Sequence, residues 1–197
     1  MKMTKAERTK QFIIEKSAPI FNIKGVAGTA MSDIMEATKL AKGSLYVHFE
    51  NKDELSYAAV DYNLDKLVEK VMSAINKQKT AKAKLFAFTD LYSDPAKPPM
   101  VGGCPILNFG MEADDTNPVI RQKVSKRLLA SPKILEAIVE RGIIDGEFRK
   151  SWNATEFGIK MFAMIEGGVL FSRVSGNSDQ ITIIINMIKK EIEENSL

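Results

Sequence analysis

Apolar residues recur along this chain at intervals of three and four, and the elements they predict are helices. The first runs from Lys5 to about Ile23. Phe12 or Ile13, then Ser17, Ile20 and Phe21 form its inward face, with Lys and Glu on the other side. Pro19 falls inside it and is expected to kink it, because proline has no N–H to give to the helix ladder. Gly25 ends the helix, and Thr29 stands where the next one needs its cap. That next helix, Met31 to Thr38, is short and carries Met31, Ile34, Met35 and Ala37 as apolar positions. A break, Lys39-Leu40-Ala41-Lys42, leads into a second short helix that reaches Phe49. Leu45 and Phe49 are four apart and share a face, so they turn inward. Lys42, Gly43, Ser44, Tyr46 and Val47 are left facing outward.

A longer helix starts near Lys52-Asp53-Glu54, where acidic residues complement the helix dipole. Leu55, Ala59, Tyr62, Leu67, Val71 and Ile75 form its apolar stripe. Another helix covers Thr80 to Tyr92. Residues 93–105 hold four of the seven prolines and two glycines, which predicts a loop. A short helix follows from Ile106 to Asp114, with Glu112, Asp114 and Asp115 as its solvated end. Asn117-Pro118 reads as an N-cap followed by proline at the first helical position. The helix it opens is expected to break or restart at Ser131-Pro132 and to continue from Ile134 to Ile144, before a turn at Asp145-Gly146-Glu147. Two helices close the chain, Thr155 to Val174 and Asp179 to Glu193. The first is apolar nearly all round and the second is rich in isoleucine, so both are expected to be buried on more than one side, and in a chain of this size a partner subunit is the expected cover.

The stretch from Thr29 to Leu55 has the layout of a helix-turn-helix. A small helix whose free face offers a cation, a hydroxyl, an aromatic ring and a methyl-bearing group is built to read a major groove. Lys42 reaches a phosphate or a guanine edge, and Gly43 lets the backbone approach the groove floor. Ser44 offers a hydroxyl, Tyr46 a ring and a phenol, and Val47 a methyl surface for thymine.

Together with the helix before it, this segment resembles the TetR family of bacterial transcriptional repressors. The resemblance rests on Ile13-Ile14, on Phe21 and Gly25 four apart, on Thr29 and on Asp33-Ile34. It continues through Lys42-Gly43-Ser44-Leu45-Tyr46, His48-Phe49 and Lys52-Asp53-Glu54-Leu55. It implies an all-α homodimer of about nine helices. Residues 1–52 would form a three-helix DNA-binding domain, and residues 53–197 a helical ligand-binding and dimerisation domain. The implied partners are double-stranded operator DNA and a small-molecule effector that releases it. By the same resemblance His48 and Lys52 are phosphate clamps, and Thr29 caps the second helix while that helix offers its first amides to a phosphate. The turn departs from the family pattern, which usually has Gly at position 39 and Ser or Thr at position 41. Lys39 is therefore expected to take a left-handed conformation, at a cost of about 1–2 kcal/mol. Ala41 cannot cap the recognition helix, a loss of about 0.5–2 kcal/mol. Lys39 is the candidate to replace the phosphate contact that Ala41 cannot make.

Charge agrees with this polarity. Residues 1–52 hold nine Lys or Arg against five Asp or Glu, a net +4, which leaves −1 for the remainder of a chain whose total is +3. One cysteine, Cys104, excludes an internal disulfide framework and fits a reducing, cytoplasmic setting. The polar N-terminus is not a signal peptide, and no apolar run is long enough to span a bilayer. Cys104 and His48 are the only soft or imidazole ligands, so neither metal nor other cofactor is expected.

Phe86, Tyr92, Phe109, Met111, Trp152 and Phe162 are candidates to line an apolar effector pocket, although residues at such spacing also serve as plain core. Cys104 joins them. If Pro105 begins a helix, its thiol stands at the N-cap, where the dipole favours thiolate. Some TetR-type repressors sense electrophiles or oxidants with a cysteine in a comparable loop. Glu166, beside Gly167-Gly168 in an apolar helix, is expected at the dimer interface with Arg173 as a partner, alongside Phe171, Ile184 and Ile188. An enzyme on a helical bundle fares badly, because a single histidine, already inside the DNA motif, leaves no catalytic constellation. A DNA-organising protein without an effector stays open, as does repressor against activator.

Overall fold

The computed structural model describes residues 3–94 and 97–197; Met1 and Lys2, and Pro95 and Ala96 of the predicted loop, lie outside that range. Among the described residues the elements are nine helices: α1 (Lys5–Gly28), α2 (Met31–Thr38), α3 (Lys42–Tyr46), α4 (Lys52–Ile75), α5 (Ala81–Asp90), α6 (Pro105–Ala113), α7 (Pro118–Ile144), α8 (Ala154–Ser175) and α9 (Asp179–Glu194). The one β pairing among them is an isolated bridge between Phe148 and Ser196. Packing separates the chain into two compact units. One holds residues 1–67 with 100–125, and the other holds 68–99 with 126–197. α6 and the first turns of α7 thus belong to the same unit as α1, α2 and α3.

In the first unit, α1 packs on α2 and α6. Thr4 opens α1 with a reciprocal cap: its hydroxyl accepts from the Glu7 amide at 3.2 Å, and its own amide donates to Glu7 Oε2 at 2.7 Å. The kink expected at Pro19 falls at Gly25 instead, the only residue inside α1 with non-helical angles (φ 74°, ψ 171°). Ala18 and Phe21, on either side of Pro19, are fully buried and hold that turn in register. Gly25 has no side chain to oppose a left-handed φ. Ile13, Phe21, Ile34, Leu45, Leu55, Leu64, Phe109 and Ile120 fill the core of this unit.

In the second unit, α9 packs on α8 and α5. Ile181, Ile185, Ile188 and Ile192 recur at helical spacing and are buried, as are Phe157, Met161 and Ile165 of α8. α7 passes through Pro132 as one helix, not two. α8 then lies close against it, because a Cβ on Gly158 would sit 2.7 Å from the Pro132 carbonyl oxygen and 3.0 Å from the Glu136 amide nitrogen. The turn at 145–147 has a second use. Glu147 accepts the first amides of α5, Ala81 N at 2.9 Å and Lys82 N at 3.2 Å, and so caps that helix from a distance in sequence.

Two of the residues expected at a dimer interface face inward. Ile188 belongs to the buried stripe of α9, and Glu166 is buried within its own subunit. The close approach at Gly168 is to Ile181 and Ile184 of the same chain. Phe171 is exposed and Ile184 partly so. Ile159 and Val174 on α8, and Ile183 and Met187 on α9, are exposed with them.

Candidate nucleic-acid interface

The short second helix is held by local hydrogen bonds. Thr38, buried, donates to the Ile34 carbonyl at 2.7 Å and accepts from the Leu40 amide at 3.3 Å, which closes α2 and starts the turn. Lys39 adopts the left-handed conformation (φ 57°, ψ 24°), as its place in the turn requires. Ala41 occupies the N-cap of α3 without a side-chain hydrogen bond, so the recognition helix starts uncapped. Bonds from the amides of His48 and Phe49 to the Leu45 carbonyl, each 3.0 Å, carry the coil past Tyr46 to Phe49.

Leu45 and Phe49 are buried, 1% and 3% exposed, and pin α3 to the unit's core. The opposite face is open. Tyr46 is 42% exposed and Val47 80%, with Lys42, Gly43 and Ser44 also exposed and His48 partly so. The Lys42 ammonium lies 5.9 Å from the Tyr46 ring centroid, at the outer limit of a cation–π contact. Around Gly43 a Cβ would meet nothing within 4 Å, which leaves room for another surface to come close. Lys39 is exposed beside this face.

The turn between α1 and α2 overturns one sequence reading. Thr29 is 1% exposed and does not cap α2; its hydroxyl donates to the Gly25 carbonyl at 2.6 Å. The cap residue is Ala30, whose amide donates to Asp33 Oδ2 at 2.9 Å. Asp33 stands three residues past Ala30, the spacing of a capping box, and this was the signal the sequence offered. The Lys24 ammonium, 2.7 Å from Asp33 Oδ1, and then the Ala30 amide hold the Asp33 carboxyl below its ordinary range. Lys52, read as a phosphate clamp, points its ammonium at the Thr29 carbonyl, 2.8 Å away. A partly buried ammonium takes an acceptor within the protein when one is in reach.

Glu112 is not a solvated helix end. Its carboxylate accepts from Val26 N at 2.8 Å and from Ala27 N at 2.7 Å. Nothing in the local sequence pattern announces this contact, which joins residues 85 and 86 positions apart. Past α3, Asn51 accepts from the Glu54 amide at 2.9 Å and Glu54 Oε2 from the Glu50 amide at 2.7 Å. Lys10 reaches Glu54 at 3.1 Å and lies 4.7 Å from the Phe49 ring centroid, so α1 fastens the far end of the recognition helix. The Glu50 amide, and after it Lys10, lower the Glu54 carboxyl.

The residues expected around an effector divide between the two units. Cys104, Phe109 and Met111 belong to the first, while Phe86, Tyr92, Trp152 and Phe162 belong to the second. Met111 projects into solvent, 74% exposed, because Phe109 and Ala113 take the inward positions of α6. Phe109 is fully buried core. Trp152 packs edge-on against Phe148 at 4.9 Å and against Phe157 at 4.4 Å, as part of an aromatic core cluster. Tyr92 is buried against Phe88 at 5.4 Å, and Phe162 is buried. Phe86 is half-buried, with the ammonium groups of Lys82 and Lys189 within 5.8 Å of its ring centroid. Cys104 does stand at the N-cap of α6 and is buried. Among the described residues no group of three or more His, Cys, Asp or Glu side chains is arranged to hold a metal, and no helix is long and apolar enough to cross a membrane.

Comparison with known proteins agrees with this geometry over the whole chain. Residues 13–59 match the family model described as bacterial regulatory proteins, tetR family, and residues 81–188 match the tetracyclin repressor-like C-terminal domain. A TetR-family transcriptional regulator from Cytophaga hutchinsonii is 36% identical, with a TM-score of 0.94 over 100% of this chain and 99% of its own. A TetR transcriptional regulator from Chloroflexus aurantiacus is 35% identical, with a TM-score of 0.91 over 98% of each chain. The transcriptional repressor DhaR of Mycobacterium sp. strain GP1 is 20% identical over 179 residues, 91% of this chain and 89% of that protein. The two family models and these relatives place the protein among transcriptional regulators and not enzymes. With the exposed face of α3 set on a buried Leu45–Phe49 base, they show that the chain belongs to the TetR family.

Proposed function

We propose that the protein is a repressor that binds a near-palindromic operator as a homodimer in the cytoplasm and releases it when a small apolar or electrophilic effector binds. The observation that carries this reading is the face of α3. Lys42, Gly43, Ser44, Tyr46 and Val47 are all exposed on a helix whose other side is fixed in the core. Such a face offers bases a cation, a hydroxyl, a phenol and a methyl surface, with a helix narrow enough for the major groove. Lys39 and His48 flank it as phosphate contacts, which set register while the base contacts choose sequence. Lys52 acts behind it, holding the α1–α2 turn.

The dimer partner covers Ile159, Phe171 and Val174 of α8 with Ile183 and Met187 of α9. These are apolar side chains on two packed helices that would otherwise face water. Phe86, Tyr92 and Phe162 of the second unit are the residues assigned to the effector, and Trp152 supports them as core. The relative DhaR is itself named a repressor.

The test is fluorescence anisotropy with duplexes tiled across the DNA upstream of the protein's own gene, at low salt. One fragment should bind far more tightly than the rest. Tyr46→Ala with Val47→Ala should weaken that complex about 5- to 150-fold, the range for losing 1–3 kcal/mol of base discrimination, and leave the urea midpoint unchanged. Equal, weak binding to every fragment by the unaltered protein contradicts the reading.

A further inference from the structure

Glu112 gives both carboxylate oxygens to main-chain amides of another segment, Val26 N and Ala27 N, at 2.8 and 2.7 Å. α1 has just been broken at Gly25, so the N–H groups of the turn that follows lack a helical carbonyl one turn back. A carboxylate is a strong acceptor for such a pair, because charge-assisted bonds exceed neutral ones about twofold. The approach is close: a Cβ on residue 25 would lie 2.8 Å from Glu112 Oε2. α6, which delivers the carboxylate, is itself fixed to α1. Asn108 Nδ2 donates to Asn22 O at 2.9 Å and to Gly102 O at 2.9 Å, while buried Asn22 donates to Val101 O at 2.7 Å and Gly103 O at 3.0 Å. The same turn carries the Thr29–Gly25 and Lys52–Thr29 bonds. From it the chain enters α2 and then α3.

We propose that Glu112 is a positioning residue for operator binding. Its carboxylate fixes the direction in which the chain leaves α1, and with it the place of the recognition helix. It does not touch DNA; it acts through the amides of Val26 and Ala27. The proposal rests on the operator-binding function given above. It adds that a residue inside the stretch matching the C-terminal family model, 81–188, sets the geometry of the N-terminal reading head.

The experiment uses the full-length protein, unaltered and as Glu112→Gln and Glu112→Ala. Glu112→Gln keeps the length of the side chain but turns one of its two acceptors into a donor facing an amide. Three quantities are read: hydrogen exchange at the Val26 and Ala27 amides, operator affinity with its salt dependence, and the urea midpoint. Exchange at those two amides should quicken about tenfold or more in both variants, and operator Kd should rise about tenfold, the loss expected from a hydrogen bond to a charged group. Exchange in the Ile13–Phe21 stretch and the salt slope should stay as they were, because no phosphate contact is removed. A mere brace would lower the urea midpoint and leave the affinity of folded protein intact, and that result overturns the proposal. So does unchanged exchange at Val26 and Ala27. If neither variant folds, Ala27→Pro removes one donor and leaves Glu112 in place; unchanged operator affinity there is equally fatal. Failure of the unaltered protein to bind any duplex sinks the operator reading itself, while the exchange data still report whether Glu112 holds the turn.

Discussion

Lys39 is the residue at which sequence and structure meet most directly. A non-glycine residue in a left-handed conformation costs about 1–2 kcal/mol, and Lys39 adopts φ 57°. Lys39→Gly should therefore raise unfolding stability by about 1 kcal/mol in urea titration. If the exposed ammonium also serves a phosphate, the same substitution should flatten the salt dependence of operator binding by about one counterion. A stability gain with an unchanged slope would assign Lys39 to the turn alone. Asp33 and Glu54 make a pH prediction. Hydrogen bonds lower both carboxyls in the folded protein, Lys24 and the Ala30 amide acting on Asp33, and the Glu50 amide and Lys10 on Glu54. Their contribution to stability is fully present above the unfolded carboxyl range, about pH 4, and is lost as pH falls through their lower folded values. Acid titration followed by circular dichroism should show that loss, and Asp33→Asn with Glu54→Gln should flatten it. Spacing made Leu45 and Phe49 legible as core, because a helical interval is local. Thr29 was misread as the cap of α2, and the Lys52 bond was not foreseen, because the Gly25 and Thr29 carbonyls belong to a turn whose path depends on the break at Gly25.

At the scale of elements, helix extents followed the apolar rhythm and the capping residues, while the breaks did not follow proline. α1 runs through Pro19, where burial of Ala18 and Phe21 outweighs one missing hydrogen bond, and α7 also continues through Pro132. The break came at Gly25, where the backbone needs a left-handed φ. Packing at close approaches is equally invisible in a linear pattern. Gly158 shows it: a methyl there would strike the backbone of α7 at Pro132 and Glu136, which cannot swing aside as a side chain would. Gly158→Ala should cost about 1–3 kcal/mol, the range for overpacking a filled core, read as a lower urea midpoint at constant slope. A neutral effect would mean that α7 and α8 separate at little cost.

For the molecule as a whole, the composition of α8 and α9 led to the expectation of a partner subunit as cover, and the structure shows which of their apolar side chains are exposed in the single chain. The sequence named Ile188 and Glu166 for that surface; the register of α9 and the burial of α8 place them inside and leave Phe171, Val174, Ile183 and Met187 outside. Phe171→Asp with Ile183→Asp should give a folded monomer in sedimentation equilibrium. Its operator affinity should fall more than about tenfold, because the second half-site is no longer engaged intramolecularly. A variant that stays dimeric places the interface elsewhere. The most direct test of the whole account is a hydroxyl-radical footprint of the purified dimer on the DNA upstream of its gene at low salt. It should show two protected half-sites on one face of the duplex, about one helical turn or somewhat more apart, and both should fade together in Tyr46→Ala with Val47→Ala. A folded dimer that protects nothing, or protects every position alike, contradicts the placement of α3 in the major groove.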